Sequence, residues 1–432
     1  MKGHPPLLSF HSAFHLLHSP FPFISMRIQA LRADRPPAKE AVRVAAPPYD
    51  TLNTAEARAL AKDNALSFLH VSRSEIDLPD GTDPYSDAVY EGAKNYFDKL
   101  RKEEHLIRDS EPAVYIYEQH WKNHVQRGFV VLCHVDDYEK NVIKKHEKTR
   151  EAKENDRLRH NRTINAQPGL VFLAFRDDAA TDDLLSDLGA GAPLYDFTDE
   201  NAMRHVAWRV TGAKAGDVVE AFAKVPAAYI ADGHHRAASA WRAAKAFRAE
   251  NPRHTGKETY NWFPACIFPA SSLRILPYNR VVKDLKGLDA EDFIAQLGTV
   301  CHLTPGALPA PEKPGQVSLY INKKWYGLKF DIPPGAGPIA RLDVSILQDR
   351  VLAPMLGIED PRTDGRIDFV GGIRGTKELE KLVDSGAFAA AFSMHPTTLE
   401  QLMEIADAGQ IMPPKSTWFE PKLRSGLFVY CY

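Results

Sequence analysis

One turn of this chain concentrates more chemistry than core packing requires. Asp232-Gly233-His234-His235-Arg236 follows an apolar run, Val225 to Ile230, and precedes an alanine-rich stretch of helical period that reaches about Phe247. That order predicts strand, tight turn and helix. It sets a carboxylate, two imidazoles and a guanidinium at the positive end of a helix, where free N–H groups and the helix dipole receive a phosphate or another anion. Gly233 permits close backbone approach, and His234, His235 and Arg236 supply donors for phosphate oxygens. Asp232 is suited to orient a substrate hydroxyl, accept its proton or hold Mg²⁺. The plainer alternative is an Asp-Gly turn with solvated histidines, but the helix-forming run behind it disfavours a hairpin. Zinc is disfavoured as well, because adjacent histidines diverge and no second His or Cys stands at i+4.

Two other segments carry candidate groups. Lys144 to Arg162 holds eight Lys/Arg against four Asp/Glu. At helical spacing, His146, Arg150, Lys153, Arg157 and His160 share one face able to bind phosphates, with Glu147 near its start as a candidate general base. Taken alone, the segment favours a solvated helix laced with i,i+4 ion pairs, such as Glu147–Glu151 repulsion relieved by Arg150. Ile411 to Lys422 reads as an ordered loop stiffened by prolines. From it Lys415, Ser416, Glu420 and Lys422 can close over a site, or Trp418 and Phe419 simply pin the tail to the core. Lys415-Ser416 lacks the glycine cradle of a Walker A motif. Gly371-Gly-Ile-Arg-Gly375 is either an anion turn or a tight connection, without the spacing of a dinucleotide fingerprint.

The elements that must position these groups are of both kinds. Residues 84–104 place Tyr90, Ala93, Tyr96, Phe97 and Leu100 on one helical stripe. Ala113 to Gln119 and Gly128 to Val135 predict a hairpin, and Leu170 to Phe175 a strand. Residues 177–225 read as an insertion. Beyond residue 250, Val317 to Ile321 and Trp325 to Phe330 read as strands flanking a Pro/Gly linker, and Asp343 to Leu356 as a helix. Ile367 to Gly375 repeats the strand–glycine–helix order with Thr376 as N-cap. Thr397-Thr-Leu-Glu400 predicts a capping box. The fold class expected is mixed α/β, in two lobes at 26–270 and 271–432.

Composition bounds the function. A net charge of −2, with 25% charged and 44% hydrophobic residues, argues against a protein that coats nucleic acid or an acidic membrane. Cys133, Cys266, Cys301 and Cys431 form no C-x-x-C pair, so no disulfide framework or structural zinc is expected, and a reducing cytoplasm is the default. Residues 1–25, rich in His, Pro and Phe, are too interrupted for a signal peptide or membrane span. They are expected to be a disordered extension or the result of an upstream start codon.

At PPYDTLN (47–53), IKKHEKTREAKENDR (143–157), YIADGHHRAASA (229–240), LPYNRVVKDL (276–285), DPRTDGRIDFVGGIRG (360–375) and IMPPKSTWFEPKLRSG (411–426), the chain resembles the bacterial and archaeal family known as domain of unknown function 1015. The likeness runs from about Met26 to the C-terminus. Strand-Asp-Gly-His-x-Arg-helix is also similar to the nucleotide-binding corner of the ParB/sulfiredoxin-like superfamily, whose free-serine kinases have a Glu before a polar helix and an Asp-Gly-His turn after it. That resemblance implies a ParB/sulfiredoxin-like core with a mixed sheet, elaborated by an insertion and a C-terminal α/β region. It implies ATP or ADP with Mg²⁺ as cofactors and a small-molecule acceptor, possibly serine. Glu147 would be the base or substrate-orienting acid, Asp232 and His234 catalytic with Asp232 on the hydroxyl substrate or the metal, and His146, Arg150, Gly233, His235, Arg236, Lys415 and Ser416 would hold nucleotide or phosphate. The alternative it allows is a nucleotide-binding switch without turnover.

Overall fold

In the computed structural model, residues 25–432 are described; the segment 1–24, read above as an extension, lies outside them. Nine strands form the larger sheet: β1 (Ile28–Gln29), β2 (Val114–Trp121), β3 (His124–His134), β4 (Ile143–Lys144), β5 (Val171–Phe175), β6 (Tyr195–Thr198), β7 (Arg204–Val210), β8 (Ala228–Asp232) and β9 (Trp262–Pro269). Their spatial order is β4-β8-β5-β9-β3-β2-β7-β6, with β1 also on β3. β8 runs parallel to β4, and β9 parallel to β5, while the other pairs are antiparallel, so the sheet is mixed.

The central strands read as unbroken apolar runs because both their faces are covered. Along β5, Val171, Leu173 and Phe175 join one core cluster, whereas Leu170, Phe172 and Ala174 join another. The first is roofed by helices Ala179–Leu188, Gly212–Phe222 and α3 (His234–Glu250), whose Ala237, Ala240 and Ala244 let the helix lie close to the strands. The second is continuous with the core of a six-stranded antiparallel sheet. That sheet is β10 (Tyr278–Val282), β11 (His302–Pro305), β12 (Gln316–Ile321), β13 (Lys324–Lys329), β14 (Ile367–Gly371) and β15 (Ala390–Met394), in the order β11-β13-β12-β15-β10-β14. The α/β expectation holds.

The insertion adds β6 and β7 to the sheet edge remote from β8, with Ala207 opposite Tyr117. It lengthens the chain before Asp232 without disturbing the turn. The amphipathic helix α1 (Asp87–Lys102) buries Tyr90, Ala93, Phe97 and Leu100 as its stripe requires.

The charged segment departs from expectation. Its helix, α2 (Glu151–Ile164), starts at Glu151, with Arg150 as N-cap in extended geometry. His146, Glu147 and Arg150 therefore share no helical face with Lys153, Arg157 and His160. The cause is tertiary: the His146 carbonyl accepts from Met412 N at 2.8 Å and Arg150 N–H is taken by His235, so an additional helical turn would forfeit both bonds. Nor is α2 laced with i,i+4 pairs. Its charges reach outward, Arg162 to Glu250, Glu154 to Arg242 and Arg159 to Asp87, and its buried His160 donates from Nε2 to the Val71 carbonyl at 2.9 Å.

Candidate functional site

The turn after β8 is built as its sequence demands. Gly233 has φ +94°, and the helix begins at once with His234, two residues earlier than the alanine run suggests. A Cβ at Gly233 would stand 2.9 Å from Arg236 Nε and 3.0 Å from its Cζ, so the glycine supplies both the conformation and the room. No side chain caps α3, which leaves the donors of its first turn free of side-chain partners.

Arg236 folds back over that glycine. Its guanidinium donates to the Leu170 carbonyl and to Asp232 Oδ2, while Lys422 Nζ donates to Asp232 Oδ1 at 2.7 Å. Burial opposes the charge on Asp232, but the Lys422 ammonium and then the Arg236 guanidinium outweigh it and hold the carboxyl well below the usual carboxylate range. The C-terminal loop thus reaches the corner, and Lys422 is clamped in the process. Trp418 and Phe419 meanwhile pin the loop, pairing with Leu276 and Ile275.

The histidines divide by role. His146 and His234 are buried with ring centroids 4.5 Å apart, edge to face. Burial drives His146 down to about 4, and burial with the neighbouring His146 holds His234 well below the ordinary imidazole value, so both are neutral near pH 7. Each keeps one ring nitrogen buried without a partner, Nδ1 of His146 and Nε2 of His234. His235 turns away: its Nε2 accepts the Arg150 N–H at 3.0 Å, which fixes the proton on Nδ1 and anchors the start of α2.

Glu147 stands at the mouth. Its side chain is 43% exposed, and Oε2 lies 3.9 Å from His234 Nδ1. Partial desolvation raises its pKa, Lys415 pulling it down and Asp232 pushing it further up. Glu147 also lines an open cavity of about 390 Å³ with Tyr138, Asn141, Lys145, Lys148 and Thr149. Lys415, at φ +56°, is held by Arg280, whose guanidinium donates to the Lys415 carbonyl at 3.1 Å. Ser416 is buried and gives its hydroxyl to the Pro413 carbonyl at 2.6 Å, so it tightens the loop and presents nothing to a ligand.

The donor set does not fit Mg²⁺. Both oxygens of Asp232 are occupied by cations, and the described residues contain no group of three or more His, Cys, Asp or Glu side chains arranged to hold a metal. A divalent ion at Asp232 would have to displace Lys422 or Arg236. The metal role expected of Asp232 is therefore not carried forward.

The family model described as "Protein of unknown function (DUF1015)" matches residues 28–345. The chain belongs to this family. No curated protein matches the DUF1015 chain. Among solved structures it is similar to a free serine kinase in complex with AMP, at 14% identity and a TM-score of 0.35, over 69% of this chain and 91% of that one. It is also similar to a conserved hypothetical protein from Pyrococcus furiosus (14%, TM-score 0.34, over 68% and 92%) and to SbnI with a C-terminal truncation from Staphylococcus aureus (11%, TM-score 0.38, over 70% and 87%). Likenesses this loose assign neither ligand nor reaction to the DUF1015 chain. No described helix is long and apolar enough to cross a membrane.

Sequence reading missed one acid and one phenol in this DUF1015 site. Asp50 lies near enough for its charge to act on His235, Glu147 and Lys422, and the half-buried Tyr49 lies beneath Arg157, whose guanidinium carbon is 4.1 Å from the ring centroid. The only signal was the proline-stiffened Pro47-Pro48-Tyr49-Asp50 loop. Glu420, placed on the loop by sequence, is buried beside Lys422 and Trp418, and burial raises its carboxyl.

Proposed function

We propose that this protein binds a nucleotide, ATP or ADP, at the N-terminus of α3 and transfers a phosphoryl group from it to a small hydroxylated metabolite, for which a free amino acid such as serine is the first candidate. One observation carries the reading. Glu147 is a half-exposed carboxylate with no charged partner in contact among the described residues, the neutral His234 lying 3.9 Å away, and it stands beside the uncapped end of a 17-residue helix. Phosphoryl transfer asks for positioning and charge stabilisation more than covalent chemistry. The first N–H groups of α3, with Lys415 and Arg150, would meet the oxygens of the transferred group, and Glu147 would orient the acceptor hydroxyl and take its proton. Asp232 would hold Lys422 and Arg236 in place. The ParB/sulfiredoxin-like order of strand, Asp-Gly-His-x-Arg and helix supports a nucleotide as donor. Residues 26–270 and 271–432 are read as two lobes, the nucleotide corner lying in the first and covered by the tail of the second.

Phosphorus NMR of the purified protein with ATP or ADP and free serine tests this. Appearance of a phosphate ester supports it. Saturable nucleotide binding with no transfer to any small hydroxyl compound would instead mean a nucleotide-binding switch, and the absence of both would end the reading.

A further inference from the structure

The cavity beside Glu147 has features that the α3 corner does not use. At about 390 Å³ it falls within the range of pockets for small metabolites. Lys145 on its wall is half-buried, donates to the Tyr138 carbonyl at 2.8 Å and sits 4.3 Å from the centroid of the Tyr138 ring. Like most lysines of the described residues, Lys145 and the exposed Lys148 beside it have no carboxylate in direct contact; Lys145 differs in being half-buried, where burial works against its charge and Glu139 offsets this only from a distance. A ligand anion in contact would offset that desolvation further. Lys145 spends one donor on Tyr138 and has two left. Glu147, a carboxylate with no Lys or Arg paired to it, lines the same cavity. The walls therefore complement a molecule that carries both an acid group and a transferable proton.

We propose that this cavity seats the acceptor, and that the acceptor is a small anionic hydroxyl compound, its carboxylate or phosphate held by Lys145 and Lys148 and its hydroxyl turned to Glu147. The catalytic half of this assignment rests on the phosphotransfer reading; the binding half does not. In the step, the acceptor oxygen bonds to the terminal phosphorus of the nucleotide as the bridging P–O bond breaks. The leaving nucleotide keeps that electron pair, and the hydroxyl proton passes to Glu147 and then to water. Glu147 both lines the cavity and lies beside His234 at the start of α3, so the donor is assigned to the α3 corner and the acceptor to the cavity.

Titration calorimetry on the full chain tests the seat without requiring turnover. The probes are L-serine and glycerate for the carboxylate class, glycerol 3-phosphate for the phosphate class, and glycerol with serinamide as partners lacking the anion. At least one anionic probe binds the wild type, and the better class names the acid group. Lys145→Met and Lys148→Met each weaken that probe about tenfold, or about 1.4 kcal/mol; Lys145→Arg restores most of the loss, and ADP affinity is unchanged. Lys148 is exposed, so its variant folds even where Lys145→Met does not. Anionic probes that bind no better than neutral ones, or anion affinity indifferent to both lysines, overturn the assignment. Lysine-dependent anion binding in a protein that ignores nucleotide keeps the cavity and removes the phosphotransfer reading. Transfer to neutral alcohols with a KM indifferent to the lysines does the reverse.

Discussion

Replacing Lys422 by Met tests whether the C-terminal loop is held at the corner by charge or by packing. The two keep similar length, so the change deletes the ammonium and little else. At 2.7 Å from Asp232 Oδ1, an effective dielectric of 20 gives a gross attraction of about 6 kcal/mol. Desolvation of the ammonium, 16% exposed at its side chain, offsets roughly half. Arg236 still pairs with Asp232 in the variant, so the loss falls short of the about 3–5 kcal/mol for a buried charge left without any partner. A loss of about 2–3 kcal/mol at pH 7 is expected, read from the urea midpoint at unchanged slope. The pH dependence carries a second signature. Because Asp232 is held below its unfolded value, its contribution is fully present above about pH 4 and is lost as the pH falls further. Without Lys422 the folded carboxyl titrates closer to the unfolded one, and that acid-side loss becomes shallower. A loss below about 0.5 kcal/mol at pH 7, the size of an ordinary surface change, or acid profiles parallel in wild type and variant, would refute the electrostatic clamp.

Three further outcomes follow from the same geometry. Gly233→Ala forces a side chain to φ +94° and against Arg236, which is tied to Leu170 and Asp232 and cannot withdraw; a loss of about 2–4 kcal/mol in chemical denaturation is expected from the left-handed strain together with the clash. On the proposed phosphotransfer reading, Glu147→Gln should lower the rate of transfer about 10²–10⁴-fold while the melting temperature stays within error, since the side chain is half-exposed; equal rates would remove Glu147 as the base. Burial holds His146 and His160 down to about 4, so the unfolded chain takes up protons first on acidification. Stability should therefore fall between about pH 6.5 and pH 4, by about 3 kcal/mol per histidine, and His160→Gln, remote from the corner, should flatten that slope in urea titrations run across the window.

How far the sequence disclosed the molecule depended on the range of the forces involved. The turn at Gly233 was legible because apolar strand, glycine and alanine-rich helix are local signals, and the mixed α/β class followed from their alternation. The stretch 146–150 was misread because its charges and spacing suit a helix, while its geometry is dictated by Met412 and His235, both remote in sequence. At the capping box the error was a single residue. Thr398 and Gln401 form it rather than Thr397 and Glu400, since Thr397 spends its hydroxyl on the Ser416 carbonyl at 2.9 Å. Thr376 likewise yields the N-cap to Gly375, and the helix from Asp343 passes into a wider π turn at 348–352 before Gly357. Lys422 could be suspected of closing on a site, but not of choosing Asp232, because a contact across 190 residues leaves no periodicity to read.

The corner holds two acids with opposed environments, and that opposition assigns their work. Asp232 has a cation on each oxygen and is driven toward permanent ionisation; a carboxylate so satisfied is a poor acceptor for a substrate proton. Glu147 has desolvation and the charge of Asp232 raising its pKa against Lys415, and a solvent-connected cavity on one side. Carboxyls pushed apart in this way commonly mark which group moves a proton and which fixes the field. On the phosphotransfer reading, this favours a division in which Glu147 moves the proton and Asp232 anchors Lys422 and Arg236. An Asp232→Asn variant should then lose stability, because two buried cations are left underpaired, whereas a Glu147→Gln variant should lose rate alone. If instead Asp232→Asn folded with wild-type stability and only its turnover disappeared, the division drawn here would have to be reversed.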